Sequence, residues 1–344
     1  MTRTKRGLWR AVLPGLLAAI CWLIALTSAV NLVERYGGLS VRFAEAAVTR
    51  ADLERAQTES TGGGLVLQAA WTRSSERQTL GSALGGSAKV RVVGVYGDPR
   101  QTAFIQLLCG GFLPEDDEEG CVLDAASAWA LFHSTDAVGA MLTLNGKTYA
   151  VRGVAEAYEP MILIRDDSLK YENLEFGAED PASARQEVET FVTRCGAGGD
   201  FSVVQSGLYA RLALGLTWFP ACGLLVAAAA GLLKKAWLQR ENKRAWPLLL
   251  AAGTALLAAA VLLLIKTFYW PQSFLPTKWS DFAFWRALIE GWQADWKATS
   301  LMTPLPKDIQ LFRALRQCAV LMLTALLTGG WSAALFCATD KRQN

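Results

Sequence analysis

A chain of 344 residues, 52% of them apolar, holds enough hydrophobic material for one domain of ordinary size and several membrane spans besides. Its formal net charge of +3 is too small to point to nucleic acid or a strongly acidic partner. With a single histidine there is no imidazole pair for a metal centre and little material for acid–base catalysis, so no cofactor, no metal and no enzyme activity are expected.

The first element in chain order is an apolar run over about residues 8–33, free of charged side chains from Ala11 to Val33. It is long enough to cross about 30 Å of hydrocarbon as a helix. Arg3, Lys5, Arg6 and Arg10 precede it as they would a signal peptide. The run exceeds the ~7–15 apolar residues usual in such peptides and no small-x-small site follows, so an uncleaved anchor is expected.

From about residue 35 to 206 the composition is that of a soluble α+β domain. Thr49–Gln57 reads as a helix with Thr49 as its cap, and Ala125–Phe132 as one capped by Asp124. Thr102–Leu108, following the Asp98-Pro99 turn, is predicted to be helical too. Leu65–Trp71, Lys89–Asp98, Met141–Tyr158 and Phe201–Gln205 alternate apolar and polar residues as half-buried strands do. Asn145-Gly146 within the third of these is a type I′ hairpin signal. The acidic run Glu115–Glu119 lacks the regular spacing and glycine of a calcium loop and reads as a solvated turn, and His133 as a surface residue after a helix.

Three further apolar runs follow, at about residues 208–233, 246–265 and 315–336, with Leu, Ala, Val and Gly on every face. No polar residues line these spans, so a hydrophilic channel within one chain is not expected. Basic residues gather in the N-terminal arm, in the link Lys234, Lys235, Arg240, Lys243 and Arg244, and in the tail at Lys341 and Arg342. That bias puts both termini in the cytoplasm and the α+β domain outside it. Arg313 and Arg316 run against the bias, in a long loop that also holds Asp281, Glu290, Asp295 and Asp308. The expected partition is 1–34 for the arm and first span, 35–206 for the domain, 207–266 for two spans and their link, 267–312 for an outer loop, and 313–344 for the last span and tail.

The loop at 267–312 contains Trp270, Trp279, Trp285, Trp292 and Trp296. From Ser280 onward Phe282, Trp285, Leu288, Ile289, Trp292 and Trp296 recur at helical spacing. Two readings stand side by side: a helix lying in the interface of the lipid bilayer, with Trp285, Trp292 and Trp296 as its anchors, or a stripe packed against the domain or a partner.

The order VVGVYGD, CGGFLPEDDEEGCVLDAASAWALF, DAVGAMLTLNGKTYAVRGVAE resembles the periplasmic core domain of MacB-like and FtsX-like ABC transporter permeases. The resemblance rests on Gly111, Phe112, Leu131, Phe132, Val138, Gly139, Leu144, Asn145, Gly146, Tyr149, Val151, Gly153 and Val154. It implies a four-helix membrane protein of a bacterial cell membrane with an α+β domain of MacB periplasmic-core type inserted between the first two helices. It further implies a cytoplasmic ABC ATPase subunit as partner, since this chain has no Gly-x-x-x-x-Gly-Lys-Ser/Thr loop, a homo- or heterodimer with another permease chain, and export of peptide, lipid or drug or the relay of force. The family carries an R-x-x-E-I-G stretch after its second span where the ATPase docks; here only Arg240 and Glu241 echo it. That departure keeps open a second function, a membrane-anchored binding or scaffold protein that recognises an envelope partner without an ATPase.

Among the cysteines, Cys21, Cys222, Cys318 and Cys337 fall in or at the ends of spans, and Cys109, Cys121 and Cys195 in the domain. Cys109 and Cys121 bracket the Gly-Gly-Phe and acidic turn and could close it as a disulfide in an oxidising compartment.

Overall fold

The first apolar run and its basic arm form one helix, α1 (Arg3–Tyr36), in a computed structural model that describes residues 3–340 apart from 61–63, 103, 167, 182–183, 198–199, 243, 270, 272–275, 277, 279 and 302–304. Lys243, Trp270, Trp279, Lys341 and Arg342 lie outside the described residues, as do the side chains of Asp295 and Trp296. After α1 come β1 (Leu39–Phe43), α2 (Arg50–Glu59), β2 (Leu65–Ser82) and β3 (Ser87–Gly97). A 3-10 turn at Pro99–Gln101 leads to β4 (Phe104–Gly110), β5 (Gly120–Asp124), α3 (Ala125–Phe132), β6 (Met141–Leu144) and β7 (Lys147–Ala157). Next are β8 (Met161–Ile164), β9 (Asn173–Ala178), α4 (Arg185–Arg194) and β10 (Phe201–Val204). The described elements that follow are helices: α5 (Ser206–Thr217), α6 (Phe219–Leu238), α7 (Ala245–Thr267), α8 (Phe282–Leu301) and α9 (Pro306–Asp340).

The chain divides into a helical unit, residues 1–37, 207–270 and 310–344, and a sheet unit, residues 38–206 and 271–309. Among the described residues four helical stretches are long and apolar enough to cross a membrane: Val12–Tyr36, Ser206–Leu238, Ala245–Thr267 and Pro306–Leu335. In the helical unit the contacts between these stretches use small residues, which let backbones approach closely. Gly15 lies against Ser332, Gly329 against Ala18, and Gly253 against Leu233 and the carbonyl of Ala229. Ala29, Leu32, Tyr36, Ala210, Leu311 and Cys318 form a buried cluster joining α1, α5 and α9. The second span, expected over 208–233, runs over Ser206–Leu238 with a one-residue break at Trp218 between α5 and α6. Pro220 at the start of α6 has no N–H to give, the helix breaks at Trp218, and the carbonyl of Thr217 takes the indole N–H of Trp22 at 2.7 Å.

In the sheet unit the described strands form one ten-stranded sheet in the order β10-β1-β9-β2-β3-β8-β5-β7-β4, with β6 bridging β2 and β7. Only β3 with β8 and β5 with β7 run parallel. One end of the sheet, β10, β1 and β9, is covered by α2 and α4 over a core of Leu39, Val41, Leu53, Leu174, Phe176 and Phe191. The other is covered by α3 over Leu80, Val90, Leu123, Leu131, Val151 and Ile162. The opposite face carries a third core, Trp71, Val93, Val95, Val122, Met161 and Leu163, against which Leu305 packs.

Local chemistry explains the boundaries. Thr49 and Asp52 close a capping box at the start of α2. Asp124 accepts from the backbone N–H of Ser127 at the start of α3. Asn145 and Gly146 turn the β6–β7 hairpin with φ of 49° and 81°, both positive as a type I′ turn requires. The segment 102–108 departs from expectation: it is extended, as β4, rather than helical. Its apolar residues satisfy either period, and the open edge of β7 supplies the backbone partners that settle it, from Phe104 opposite Ala157 to Gly110 opposite Gly153.

Candidate functional site

Period-two alternation along β1 sends Leu39, Val41 and Phe43 into the core beneath α2 and α4, and Ser40 and Arg42 to the other face. Along β9 it sends Leu174 and Phe176 the first way and Asn173 and Glu175 the second. Ser40 stands directly opposite Glu175 in the β1–β9 ladder. Two strands with apolar residues on one face thus bring an arginine and a glutamate together on the other, where both are buried.

The Glu175 carboxylate is the centre of this cluster. Its Oε1 accepts from Arg42 Nη1 at 2.8 Å and from the indole N–H of Trp71 at 3.0 Å. Its Oε2 accepts from the hydroxyl of Ser40 and from Lys307 Nζ at 2.9 Å. Lys307 and Asp308 are the first-turn residues of α9 that belong to the sheet unit. Arg42 Nη2 donates to Asp308 Oδ1 at 3.3 Å, and its guanidinium stacks 5.6 Å from the centre of the fully buried Trp71 ring. Lys307 Nζ also donates to the backbone carbonyl of Gln101 at 2.9 Å. Two cations and two anions balance, the condition for keeping charges out of water. Burial by itself would raise the Glu175 carboxyl; Arg42 and Lys307 outweigh it and hold it at about 2, below the ordinary 4.5. Arg42 is raised in the same way, with Glu175 and Asp308 overcoming the cost of burial. Arg42 Nε is buried without an acceptor, so the cluster is nearly but not fully satisfied.

Two joints in the same unit are equally tight. β10 pairs antiparallel with β1, Ser40 opposite Val204, and Gln205 alone separates β10 from α5. The hydroxyl of Ser206, at the head of α5, donates to the carbonyl of Gly38 at 2.9 Å. A Cβ on Gly38 would lie 1.8 Å from the carbonyl oxygen of Phe176, so only glycine fits where the chain enters β1. Such an arrangement ties distant segments of the chain together. It can hold the heads of α5 and α9 and the start of β1 in fixed positions on one sheet.

The residues singled out from the sequence fall elsewhere. Arg240 and Glu241 form an exposed turn after α6, where the Arg240 guanidinium lies 5.7 Å from the centre of the exposed Trp237 ring. Trp285 is half-buried and Trp292 exposed on α8. The expected pairing of Cys109 with Cys121 is corrected by the sheet: both thiols are free, and β7 lies between their strands, Cys109 opposite Val154 and Cys121 opposite Val151. Two inter-strand steps and a three-residue offset along β7 separate them by more than about 10 Å, beyond the ~4.4–6.8 Å between Cα atoms that a disulfide spans. Cys109 instead donates to the carbonyl of Thr135 at 3.2 Å, and burial pushes the Cys121 thiol up to about 12. In the acidic turn Asp117 pairs with Arg152 at 2.7 Å, and among the described residues no group of His, Cys, Asp or Glu is arranged to hold a metal. His133 closes α3 in the left-handed conformation, its backbone N–H donating to the carbonyl of Trp129.

Sequence reasoning missed the buried cluster altogether. Ser40, Arg42 and Glu175 fall in β1 and β9, segments for which the sequence suggested no strand, and Lys307 and Asp308 fall in the expected outer loop. The signal that could have found them is an arginine in the middle of a short strand, Ser40-Val41-Arg42, flanked on both sides by residues destined for the core.

The sequence matches no known protein-family profile and no curated protein. Among solved structures it is similar in fold to the periplasmic region of MacB from Actinobacillus actinomycetemcomitans, at 16% identity and a TM-score of 0.42, over 51% of this chain and 92% of that one. It is similar also to the extracellular domain of the noncanonic ABC-type transporter YknZ from Gram-positive bacteria, at 12% identity and a TM-score of 0.38, over 48% of this chain and 98% of that one. A third likeness is to a domain of a permease protein from Porphyromonas gingivalis, at 12% identity and a TM-score of 0.34, over 49% and 89%.

Proposed function

We propose that the chain is a permease-like, force-transmitting membrane subunit of an ABC transport system, coupling a separate cytoplasmic ATPase to a sheet unit on the far side of a bacterial cell membrane. In this reading both termini and the Arg240-Glu241 turn face the cytoplasm, and a second permease chain, identical or related, completes the assembly. The observation that carries it is the buried cluster. Lys307 and Asp308, at the head of α9, are fastened to Glu175 and Arg42 inside the sheet unit. The tight Gly38–Ser206 joint supports the same reading at α1 and α5. Ends held this firmly pass helix motion to the sheet instead of absorbing it in a loop. The order of motifs from Gly111 to Val154 supports the family reading from the sequence alone. Cargo, if the system carries any, is a peptide, lipid or drug.

The test is recovery and stimulation of an ATPase. Mild-detergent purification of the tagged chain should bring down a cytoplasmic ABC ATPase, and in reconstituted vesicles Arg240→Ala with Glu241→Ala should lower its turnover severalfold while leaving the chain folded. The alternative, a membrane-anchored scaffold, is favoured by one observation: the turn holding Arg240 and Glu241 keeps only part of the R-x-x-E-I-G pattern. Recovery of no ATPase, together with full cellular function of the double variant, would replace the transporter reading with the scaffold.

A further inference from the structure

Every charge-free run of the helical unit is closed by a cation at the same end. Residues 11–33 of α1 run to Glu34 and Arg35, 212–233 across α5 and α6 begin after Arg211, 245–265 of α7 stop at Lys266, and 317–339 of α9 begin after Arg316. Each run is long enough to cross about 30 Å of hydrocarbon, which sets the four cations at the depth of the lipid headgroups. The packing agrees with this common level. Tyr36, Ala210 and Leu311 share one buried cluster, and the Tyr209 and Phe312 rings lie 6.4 Å apart. The Arg211 guanidinium stacks 5.2 Å from the centre of the Tyr269 ring, three residues past Lys266. Aromatic residues thus girdle the end that the cations close, as they do where spans leave the hydrocarbon.

Arg35, Lys266 and Arg316 are exposed and Arg211 is half-buried, and among the described residues none of the four is paired with a carboxylate. Arg313, one turn before Arg316, adds a fifth positive charge, and among the described residues Glu34 is the one carboxylate of the helical unit at this end. The orientation of the spans does not call for these cations. The basic arm, the link after α6 and the tail carry that bias, and positive charge at the opposite end works against it.

We infer that this end of the helical unit binds anionic phospholipids, with Arg35, Arg211, Lys266 and Arg316 holding the headgroup phosphates of one leaflet. A guanidinium or ammonium on a long side chain reaches out to a phosphate oxygen while its methylenes stay against the apolar helix. Phosphatidylcholine offers the same phosphate but carries its own cation, which a surface of net positive charge repels. A net negative lipid such as phosphatidylglycerol is therefore preferred, by about fivefold for each cation that faces it. The inference requires the spans to sit in a membrane but neither an ATPase nor a cargo, so it stands or falls separately from the transporter reading.

The experiment uses the full chain in phosphatidylcholine vesicles with a minor share of phosphatidylglycerol. Either lipid carries a photoreactive group beside its headgroup, and labelled positions are mapped by peptide mass spectrometry. In the native chain phosphatidylglycerol should label the segments around Arg211, Lys266 and Arg316 at least about threefold more than phosphatidylcholine does. Arg211→Gln with Arg316→Gln should bring the two lipids close to parity there, while labelling at the link holding Lys234 and Lys235 persists and shows that the chain is folded and inserted. Where that pair disturbs the fold, Lys266→Gln with Arg316→Gln, both at exposed positions, makes the same comparison without touching the Tyr269 stack. Equal labelling by the two lipids in the native chain would overturn the inference, as would an excess that survives both double variants. Absence of label from either lipid at this end would mean that protein covers it, and loss of the excess in millimolar inorganic phosphate at constant ionic strength would assign the cations to a soluble anion. Both of these results also count against it.

Discussion

Lys307 donates to Glu175 at 2.9 Å across 132 positions of sequence. Both side chains are buried, and Arg42 takes the other oxygen of the same carboxylate at 2.8 Å. A buried anion held by two cations is costly to leave with one of them missing, and the first prediction concerns it.

Lys307→Met leaves Glu175 and Asp308 to share one arginine, and removing one partner from a buried ionic group costs about 3–5 kcal/mol. Glu175→Gln leaves Arg42 and Lys307 with Asp308 as their one anion and costs a similar amount. The double variant should be less destabilised than the two losses added together, since each removes the other's stranded charge. Denaturant unfolding of the detergent-purified chain, followed by near-ultraviolet circular dichroism, gives the three values. Strict additivity would mean that the two groups do not depend on each other.

Acid should loosen the same site. The folded Glu175 carboxyl, at about 2, lies below its ordinary 4.5. Its contribution is therefore present in full above pH ~4.5 and is lost as the pH falls toward 2, amounting to about 3 kcal/mol across that window. Glu175→Gln removes the titrating group, so between pH 4.5 and 2 its stability should fall less steeply than that of the native chain. Parallel curves for the two proteins would place the acid sensitivity elsewhere.

Thiol chemistry distinguishes the cysteines of the sheet unit. Burial pushes both Cys121 and Cys195 up to about 12, so at pH 8 each is a protonated, covered thiol with little thiolate to react. Cys109 is only half-buried. In folded, unreduced protein an alkylating reagent should modify Cys109 within minutes and reach Cys121 and Cys195 only on unfolding, as read by peptide mass spectrometry. A mixed peptide carrying Cys109 joined to Cys121 would contradict the strand order β5-β7-β4.

Gly38→Ala should be among the most damaging small changes in the chain. The added methyl would stand 1.8 Å from the Phe176 carbonyl oxygen, which belongs to the backbone of a paired strand and cannot step aside. Overpacking of this kind costs about 1–3 kcal/mol or more, whereas alanine at Gly111, where nothing lies within 4 Å, should be close to neutral. Thermal unfolding of the two variants makes the comparison, and similar losses at both sites would refute it.

Much of this architecture is visible in the residues themselves. The apolar runs show the spans, the Asn145-Gly146 pair shows the hairpin, and Thr49 and Asp124 show two helix starts, because each of these signals is local. β4 was misread because Phe104, Ile105, Leu107 and Leu108 fit a helix as well as a strand, and the deciding partner, β7, lies some forty residues on. Glu175 and Lys307 were invisible for a stronger reason. A charged side chain on an alternating strand looks solvent-facing until the element that covers it is known, and here that element is the first turn of the final helix.

The distance along the chain between those two residues also sets a clock. At about 5–20 residues per second, a ribosome needs on the order of 7–26 s to travel the 132 positions from Glu175 to Lys307. From Val204, the end of β10, onward every described strand of the sheet has been made, yet its central carboxylate still lacks one of its two cations. The Glu175 cluster is incomplete until the last helix has begun to emerge. A nascent chain stalled before Lys307 therefore leaves the Glu175 carboxylate with Arg42 as its one cation, and the first turn of α9 is what completes the cluster.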